Sequence, residues 1–388
     1  MSAEAATEIF IKDYALACAL GGDKANVSAR LFSKTPPLIS SHAHLNDGRD
    51  VPVGRLQFDV PSLAGETRTN RIIAHCYAQL ASDVDAMRER VGAQRFGIVI
   101  GTSTSGIGEG GEAIRHKIET GALPAEFSLQ PQQLGDSARF AAELCGAQGP
   151  AYVVSTACTS GARAIAAGAR LIRAGLCDAV LCGGADALCD LTLNGFAALD
   201  SLSNTPCNPM SANRNGLNIG EGGALFLLTK EPSAFRLAGW GESADGHHMS
   251  APDPTGAGAE KAIRAALAVA GARAADVDFV HLHGTATKLN DEMEAGVVHR
   301  LFGSETPCAS TKPLTGHTLG AAGAVQAALC LLAMEEGRLP PHLWDGERDP
   351  LLPEIRLARP GERAELRTIL SANYAFGGNN AALALAKT

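Results

Sequence analysis

Ten cysteines are spread along the 388 residues, and Cys158 stands where a thiol can act. It lies in AYVVSTACTSGARAIAAGARLIRAG, residues 151–175. The stretch opens as an apolar, β-branched run ending at Ser155, which reads as a buried strand. It continues from Ser160 as a small-residue helix, in which Ala162, Ile165, Ala166, Ala169 and Ile172 recur at helical spacing and Arg163, Arg170 and Arg173 fall on the opposite face. A thiol at the mouth of that helix meets free N–H groups and the positive end of the helix dipole, which favour the thiolate. The chemistry would be nucleophilic. The same pattern also fits an inert cysteine buried at a tight strand–helix junction.

Three further segments put polar residues where core would be expected. HLHGTATKLNDEMEAGVV ends a buried strand at His283 and carries Asp291 and Glu294, three apart and so on one helix face. STKPLTGHTLGAAGAVQAALCLL sets Lys312 and His317 just before a helix almost free of charge. SANYAFGGNN breaks an apolar strand at a glycine turn, Phe376–Gly377. Singly, each has a plain alternative: a satisfied histidine at a strand end, a solvated helix start, a turn. GTSTSGIGEGG, after the strand Phe96–Ile100, resembles a phosphate cradle only in its glycines. No Lys follows in P-loop position and the spacing is not GxGxxG, so tight packing or a subunit interface fits it better.

The elements that must position these residues alternate. Glu8–Ala15 reads as a strand, Asp23–Phe32 as a helix, and Ser33–Thr69 as loop. Asn70–Glu89 is helical, with Ile72, Ile73, Cys76, Tyr77 and Leu80 on its apolar face. Asp136–Cys145 reads as a helix with Asp136 as N-cap, and Ala179–Cys182 and Ala224–Thr229 as buried strands. Beyond Pro232 the order repeats: helix Ala259–Ala270, strand Asp278–His283, helix Leu319–Met334, strands Thr368–Ala372 and Ala381–Ala386. This predicts two α/β halves, 1–231 with the cysteine and 232–388 with the histidines and the FGGNN turn, packed as one body with helices covering sheets.

Composition narrows the class. Hydrophobic residues make up 46% and charged ones 19%, with 43 glycines, which fits a tightly packed α/β protein rather than a disordered or fibrous one. A net charge of −8 argues against nucleic acid as the main partner, while leaving room for a local basic patch. The cysteines form no CxxC and no metal-ligand spacing, which predicts reduced thiols, no bound metal and a cytoplasmic setting. The N-terminus shows no signal-peptide pattern, and Ala321–Met334, the longest apolar helix-like run, reads as too short to span a bilayer.

Together the segments resemble the β-ketoacyl-[acyl carrier protein] synthases, condensing enzymes of the thiolase fold. The match is STAC before a small-residue helix, HGTxTxxxDxxE, KxxxGHxxGAAG, and FGGNN where the family commonly has FGGTN, in family order, from about residue 70 to the end. GTSTSG, QQLGDSARF, NRNGLNIGEGGALFLLTKEP and LTGHTLGAAGA look like the ketosynthases of aryl polyene pigment clusters. The opening residues depart from the family's VVVTGxG.

The resemblance implies a five-layer αβαβα body and a decarboxylative Claisen condensation. Cys158 matches the nucleophile. His283 and His317 match the paired neutral histidines that donate to the malonyl thioester oxygen. Lys312, Glu294 and Asp291 match the groups that hold them, with Lys312 and Glu294 expected to pair in a partly buried site. The N–H groups of Cys158 and Phe376 match an oxyanion hole, Phe376 and Gly377 a gate. Thr102, Thr104, Phe196 and Leu199 are the expected acyl-pocket walls; for the last two, plain core is the alternative. No cofactor is implied, since substrates ride on the phosphopantetheine of acyl carrier protein. That carrier would dock near Arg68 and Arg71. The family also implies a dimer, with a second copy or a related chain-length-factor-like chain. Three other readings compete. A non-catalytic chain-length-factor-like subunit would have lost the cysteine. A degradative thiolase would want a second cysteine within 371–380, where there is none. A general fatty-acid elongating ketosynthase differs only in acyl group.

Overall fold

The computed structural model describes residues 7–63 and 65–388. The opening residues, where the sequence shows no signal-peptide pattern, lie outside the described residues. The first run comprises β1 (Phe10–Ala17), α1 (Lys24–Leu31), β2 (Ser41–His44), β3 (Asp50–Val53), α2 (Arg68–Val91), β4 (Phe96–Gly101), α3 (Ile107–Thr120), α4 (Asp136–Cys145), β5 (Ala151–Val154), α5 (Ser160–Arg173), β6 (Ala179–Asp186), α6 (Asp190–Ala198) and β7 (Gly222–Thr229). The second comprises β8 (Phe235–Ala244), α7 (Ala257–Ala270), β9 (Phe279–His281), α8 (Lys288–Phe302), β10 (Pro307–Ala309), α9 (Lys312–Thr315), α10 (Ala322–Glu336), β11 (Arg356–Leu357), β12 (Thr368–Ala375) and β13 (Asn379–Lys387).

Both runs build the same sheet. The strand orders are β5-β4-β6-β7-β1 and β10-β9-β12-β13-β8. In each, the first three strands are parallel and the last two join antiparallel. β1 and β8 link the sheets through the pairs Phe10↔Arg236 and Ile11↔Phe235, and β11 extends the outer edge beyond β10. α5 and α10 lie between the sheets, where Ile165, Val325 and Leu329 share one core with Phe226 and Leu383. α2 and α4 cover the outside of the first sheet. α7 and α8 cover the second. This is the five-layer αβαβα body expected from the motifs. Each fully buried Leu or Phe in these layers contributes about 1.5–3 kcal/mol.

α10 is apolar on every side because every residue from Ala322 to Met334 is buried between two sheets. With the tight turn Leu319–Ala321 before it, the helical stretch Leu319–Glu336 has the length and composition of a membrane span, so the sequence reading of it as too short is corrected. It is 89% buried inside the protein, so a core accounts for its apolarity.

Other expectations shift. The 33–69 segment is not all loop: it holds the hairpin β2–β3, and α2 starts at Arg68 with the Thr67 hydroxyl accepting from the Asn70 N–H. GTSTSGIGEGG turns helical at Ile107, within the expected loop. Gly135, not Asp136, caps α4; Asp136 is in the first turn, where its carboxylate accepts from Asn70 and Arg139. β5 is not a buried strand. It forms the open edge of the first sheet, with Ala151 and Tyr152 exposed.

Candidate active site

Cys158 follows a tight turn in which Ala157 adopts φ 52°. Small side chains close that turn. The Ser160 hydroxyl accepts from the Thr156 N–H (2.9 Å) and donates to the Ala157 carbonyl (2.6 Å), and the Thr159 hydroxyl donates to the Thr156 carbonyl (2.7 Å). Glycine is required behind it: a Cβ at Gly161 would lie 2.9 Å from the Ala324 nitrogen of α10. The result is a buried thiol at the start of α5. Burial pushes this thiol up to about 12, with Lys312 pulling the other way. Desolvation opposes the thiolate expected from the helix mouth, while the Lys312 charge favours it.

His317 meets that thiol. Its Nε2 is 3.0 Å from Cys158 Sγ. Its backbone is pinned between Asn218 O and Gly220 N, at 2.7 and 2.8 Å. His317 Nδ1 is buried and has no hydrogen-bond partner among the described residues. The His283 ring stands edge-on to it, centroids 5.2 Å apart. Burial, and next the Lys312 charge, hold both imidazoles well below the usual histidine range, which favours the neutral rings.

His283 lies two residues beyond the end of β9, and two buried ionic groups of opposite charge fix it. The Glu294 carboxylate accepts the N–H groups of His283 and Gly284, each at 2.6 Å. Lys312 Nζ donates to the His283 carbonyl and lies 3.5 Å from its Nδ1. Lys312 and Glu294 therefore do not form the direct ion pair expected, and the site is fully rather than partly buried. Burial lowers the Lys312 ammonium and raises the Glu294 carboxyl. Asp291 accepts from Met210 N (2.8 Å) and Ala286 N (3.2 Å), two residues held at positive φ of 64° and 63°. It braces the loop after His283, and the solvated helix start is ruled out for both acids.

The side-chain donor atoms of Cys158, His283 and His317 lie within 4.8 Å of one another, a spacing a transition metal could bridge. The chemistry of the shell does not fit one. Lys312 Nζ, 3.5 Å from His283 Nδ1, favours that nitrogen as the acceptor and the proton on Nε2, and the ammonium repels a second cation.

A cavity of about 280 Å³ joins the three residues to Phe196, Leu199, Tyr374 and Phe376. Phe376 stacks on Phe196 with centroids 5.5 Å apart. Phe196 and Leu199 thus line the cavity and are not plain core. Gly377 has φ 79° and donates its N–H to Met249 O (2.7 Å), which a bulkier residue would strain. Thr102 and Thr104 do not line it; their hydroxyls donate to Asp186 at 2.5 and 2.8 Å. Arg68 is not a free docking cation. It grips the buried Glu221 through two bonds of 2.6 Å, and Arg71 is half-buried beside it. A larger groove of about 1540 Å³, bordered by Trp344 and Ile355, contains none of the three reactive residues. The smaller cavity is the site because the nucleophile opens into it.

Sequence reasoning missed Tyr374, whose ring is 5.9 Å from that of His283, and Gln326. Gln326 accepts from Lys312 Nζ (3.4 Å) and Asn373 (2.7 Å) and contacts His281 Nδ1 (3.0 Å). It was visible as the single polar residue in the apolar run Ala322–Met334 of α10.

Comparison with known proteins agrees with this geometry. Residues 67–234 match the family model "Beta-ketoacyl synthase, N-terminal domain", and residues 234–344 match "Beta-ketoacyl synthase, C-terminal domain". The chain is 35% identical over 309 residues to Nodulation protein E of Rhizobium meliloti, covering 75% of each chain. It is 31% identical over 346 residues to the tetracenomycin polyketide synthase ketoacyl synthase alpha subunit of Streptomyces glaucescens, covering 82% of this chain and 81% of that one. A chain in the structure of the ketosynthase ApeO in complex with its chain length factor ApeC, from Xenorhabdus doucetiae, superposes with a TM-score of 0.94 at 39% identity over 100% of both chains. With both domain models matched in order across residues 67–344, this chain belongs to the β-ketoacyl synthases, the acyl-transferring condensing enzymes of type II polyketide and fatty-acid assembly.

Proposed function

We propose that this chain is a catalytic ketosynthase that extends an aryl-polyenoyl group carried on Cys158. The single observation that carries the catalytic role is the 3.0 Å approach of His317 Nε2 to Cys158 Sγ, with His283 in the same cavity. A chain-length-factor-like subunit would lack the nucleophile. The aryl-polyenoyl group rests on the motif resemblance and on the 39% identity over the whole chain to a chain of the ApeO–ApeC ketosynthase–chain length factor complex.

In the first half-reaction Cys158 sulfur attacks the acyl-carrier thioester, and its proton passes by way of His317 Nε2 to the departing carrier sulfur, which leaves as a thiol. The N–H groups of Cys158 and Phe376 stabilise the tetrahedral oxyanion. In the second, malonyl-carrier protein loses CO₂. His283 and His317 donate ring N–H bonds to the thioester oxygen as the enolate forms. The enolate carbon then attacks the acyl-Cys158 carbonyl, and the sulfur leaves as thiolate and takes up a proton from solvent, which restores the thiol. Lys312 suits His283 to this task, because it faces Nδ1 and favours the proton on Nε2.

Acyl carrier protein is the proposed substrate carrier, and no further cofactor enters the reaction. The proposed dimer meets through the open β5 edge, where Tyr152 is exposed, as are Leu144 of α4 and Leu176 after α5. The pseudo-repeat divides at 231/232, and the ten free, buried cysteines support a cytoplasmic setting. The test is to purify the chain alone and with candidate partner chains. Native mass would be recorded, and condensation assayed with saturated and with polyenoyl carriers. Faster turnover of saturated acyl groups would reassign it to general fatty-acid elongation.

A further inference from the structure

The GTSTSG loop has no part in the chemistry above, yet it converges on one buried acid. Asp186 ends β6 and is fully buried. Its carboxylate accepts from the hydroxyls of Thr102 (2.5 Å), Ser103 (2.5 Å) and Thr104 (2.8 Å). It also accepts the backbone N–H groups of Ser103 (2.9 Å), Thr104 (2.9 Å) and Gly320 (2.6 Å). All of these donors are neutral. A carboxylate taken out of water is costly unless its lone pairs are filled, and here they are filled by groups from two distant parts of the chain.

The Gly320 bond is the informative one. Gly320 belongs to the turn Leu319–Ala321, three residues beyond His317, which starts the helical path into α10. A Cβ at Gly320 would lie 2.7 Å from Asp186 Oδ2 and 2.8 Å from Ser103 N, so the acid and the turn meet only because that residue is glycine. Leu319 beside it is held at φ 49°, a strained value for a leucine. The next contact runs to the cysteine helix: a Cβ at Gly323 would lie 2.7 Å from Ala162 N of α5. Asp186 thus ties the first sheet to the turn that follows one catalytic histidine, and that turn leads into the helix packed on the other side of the nucleophile.

We infer that Asp186 is a positioning residue that sets the approach of His317 to Cys158. This deepens the proposed ketosynthase reading and rests on it for the kinetic arm. His317 is hydrogen-bonded to the thiol and His283 shares its cavity. Of the nearby charges, Lys312 favours the thiolate and Asp186 opposes it.

The test pairs two variants in the full chain. Asp186→Asn keeps the shape, removes the charge and turns an amide N–H toward a donor. Its Cys158 alkylation by iodoacetamide, followed by peptide mass, should have a midpoint lower by about one pH unit. Its condensation kcat should fall roughly 10- to 100-fold, with KM for the acyl carrier within about 2-fold. Gly320→Ala keeps the charge and displaces the turn; its kcat should fall with the alkylation midpoint unmoved. A folded Asp186→Asn with wild-type midpoint and kcat overturns the inference. Where that variant does not fold, Gly320→Ala condensing at the wild-type rate overturns it. A wild-type chain that never condenses refutes the ketosynthase reading instead, while the alkylation midpoint of Asp186→Asn still tests whether the acid acts on the thiol.

Discussion

Lys312 and Glu294 hold His283 from opposite directions and form no ion pair with each other: the lysine takes its carbonyl, the glutamate its N–H. The histidine backbone is fixed at both ends of one residue, so its ring has little freedom beyond rotation. Glu294→Ala leaves two buried N–H groups without acceptors, at about 1–3 kcal/mol each. It should lower the melting temperature and condensation together, while Lys312→Ala should mainly lower condensation. Thermal melts and turnover on the same samples separate the two roles.

Cys158→Ala should form no acyl adduct after incubation with an acyl carrier. Intact-protein mass is the measurement, and a retained adduct would remove Cys158 from the mechanism.

The two histidines should differ. His283→Ala should acylate at close to the wild-type rate, because that ring is not the one hydrogen-bonded to sulfur. His317→Ala should acylate more slowly, since it loses the 3.0 Å partner of the thiol. Both should lose about 10²–10³ in condensation. Single-turnover acylation read beside steady-state condensation tests this, and equal acylation rates would argue against proton transfer through His317.

Acid should unfold this protein early. Burial lowers His281 to about 3 and His342 to about 4, and pushes His283 and His317 in the same direction. A folded-state value below the unfolded one means the unfolded chain binds more protons. The stability tied to these neutral rings is therefore complete above about pH 6.5 and lost as pH falls from there toward the folded values. Each such histidine costs up to about 1.4 kcal/mol per pH unit in that window. Melting temperatures at pH 7.5, 6.5 and 5.5 should fall, and His342→Gln should flatten the slope. An unchanged melting temperature down to pH 5.5 would contradict the buried, neutral state.

Product length should respond to Phe196. Its ring stacks on Phe376 in the wall of the cavity, so Phe196→Trp should shorten products and leave Cys158 acylation intact. Thr104→Phe, which the sequence alone would nominate, should instead disturb the Asp186 bonds and stability. Mass profiles of released chains decide the first point and thermal melts the second.

The chemistry was more legible than its support. Cys158, His283 and His317 sit in short motifs whose residue types are unusual for their settings, so sequence alone brought them forward. Long-range partners leave no such trace. Nothing in the local pattern shows that Arg68 is committed to Glu221, or Thr104 to Asp186, because each bond joins residues far apart in the chain. The edge position of β5 was hidden for another reason: an apolar strand reads alike whether its cover is its own fold or another protein. Elements α2, α5 and α7 were found readily because helical periodicity is local.

That open edge bears on how the cell must make the protein. Tyr152 and its neighbours offer unpaired backbone groups along an apolar strand, a template on which further strands can grow. Synthesis in excess of a partner would leave such edges uncovered, and the surplus would be drawn into self-association or proteolysis. Under the proposed dimer, matched output of two chains, or rapid pairing of identical ones, becomes a condition of solubility, so a drop in partner abundance should lower the level of this chain before any change in its catalytic constants.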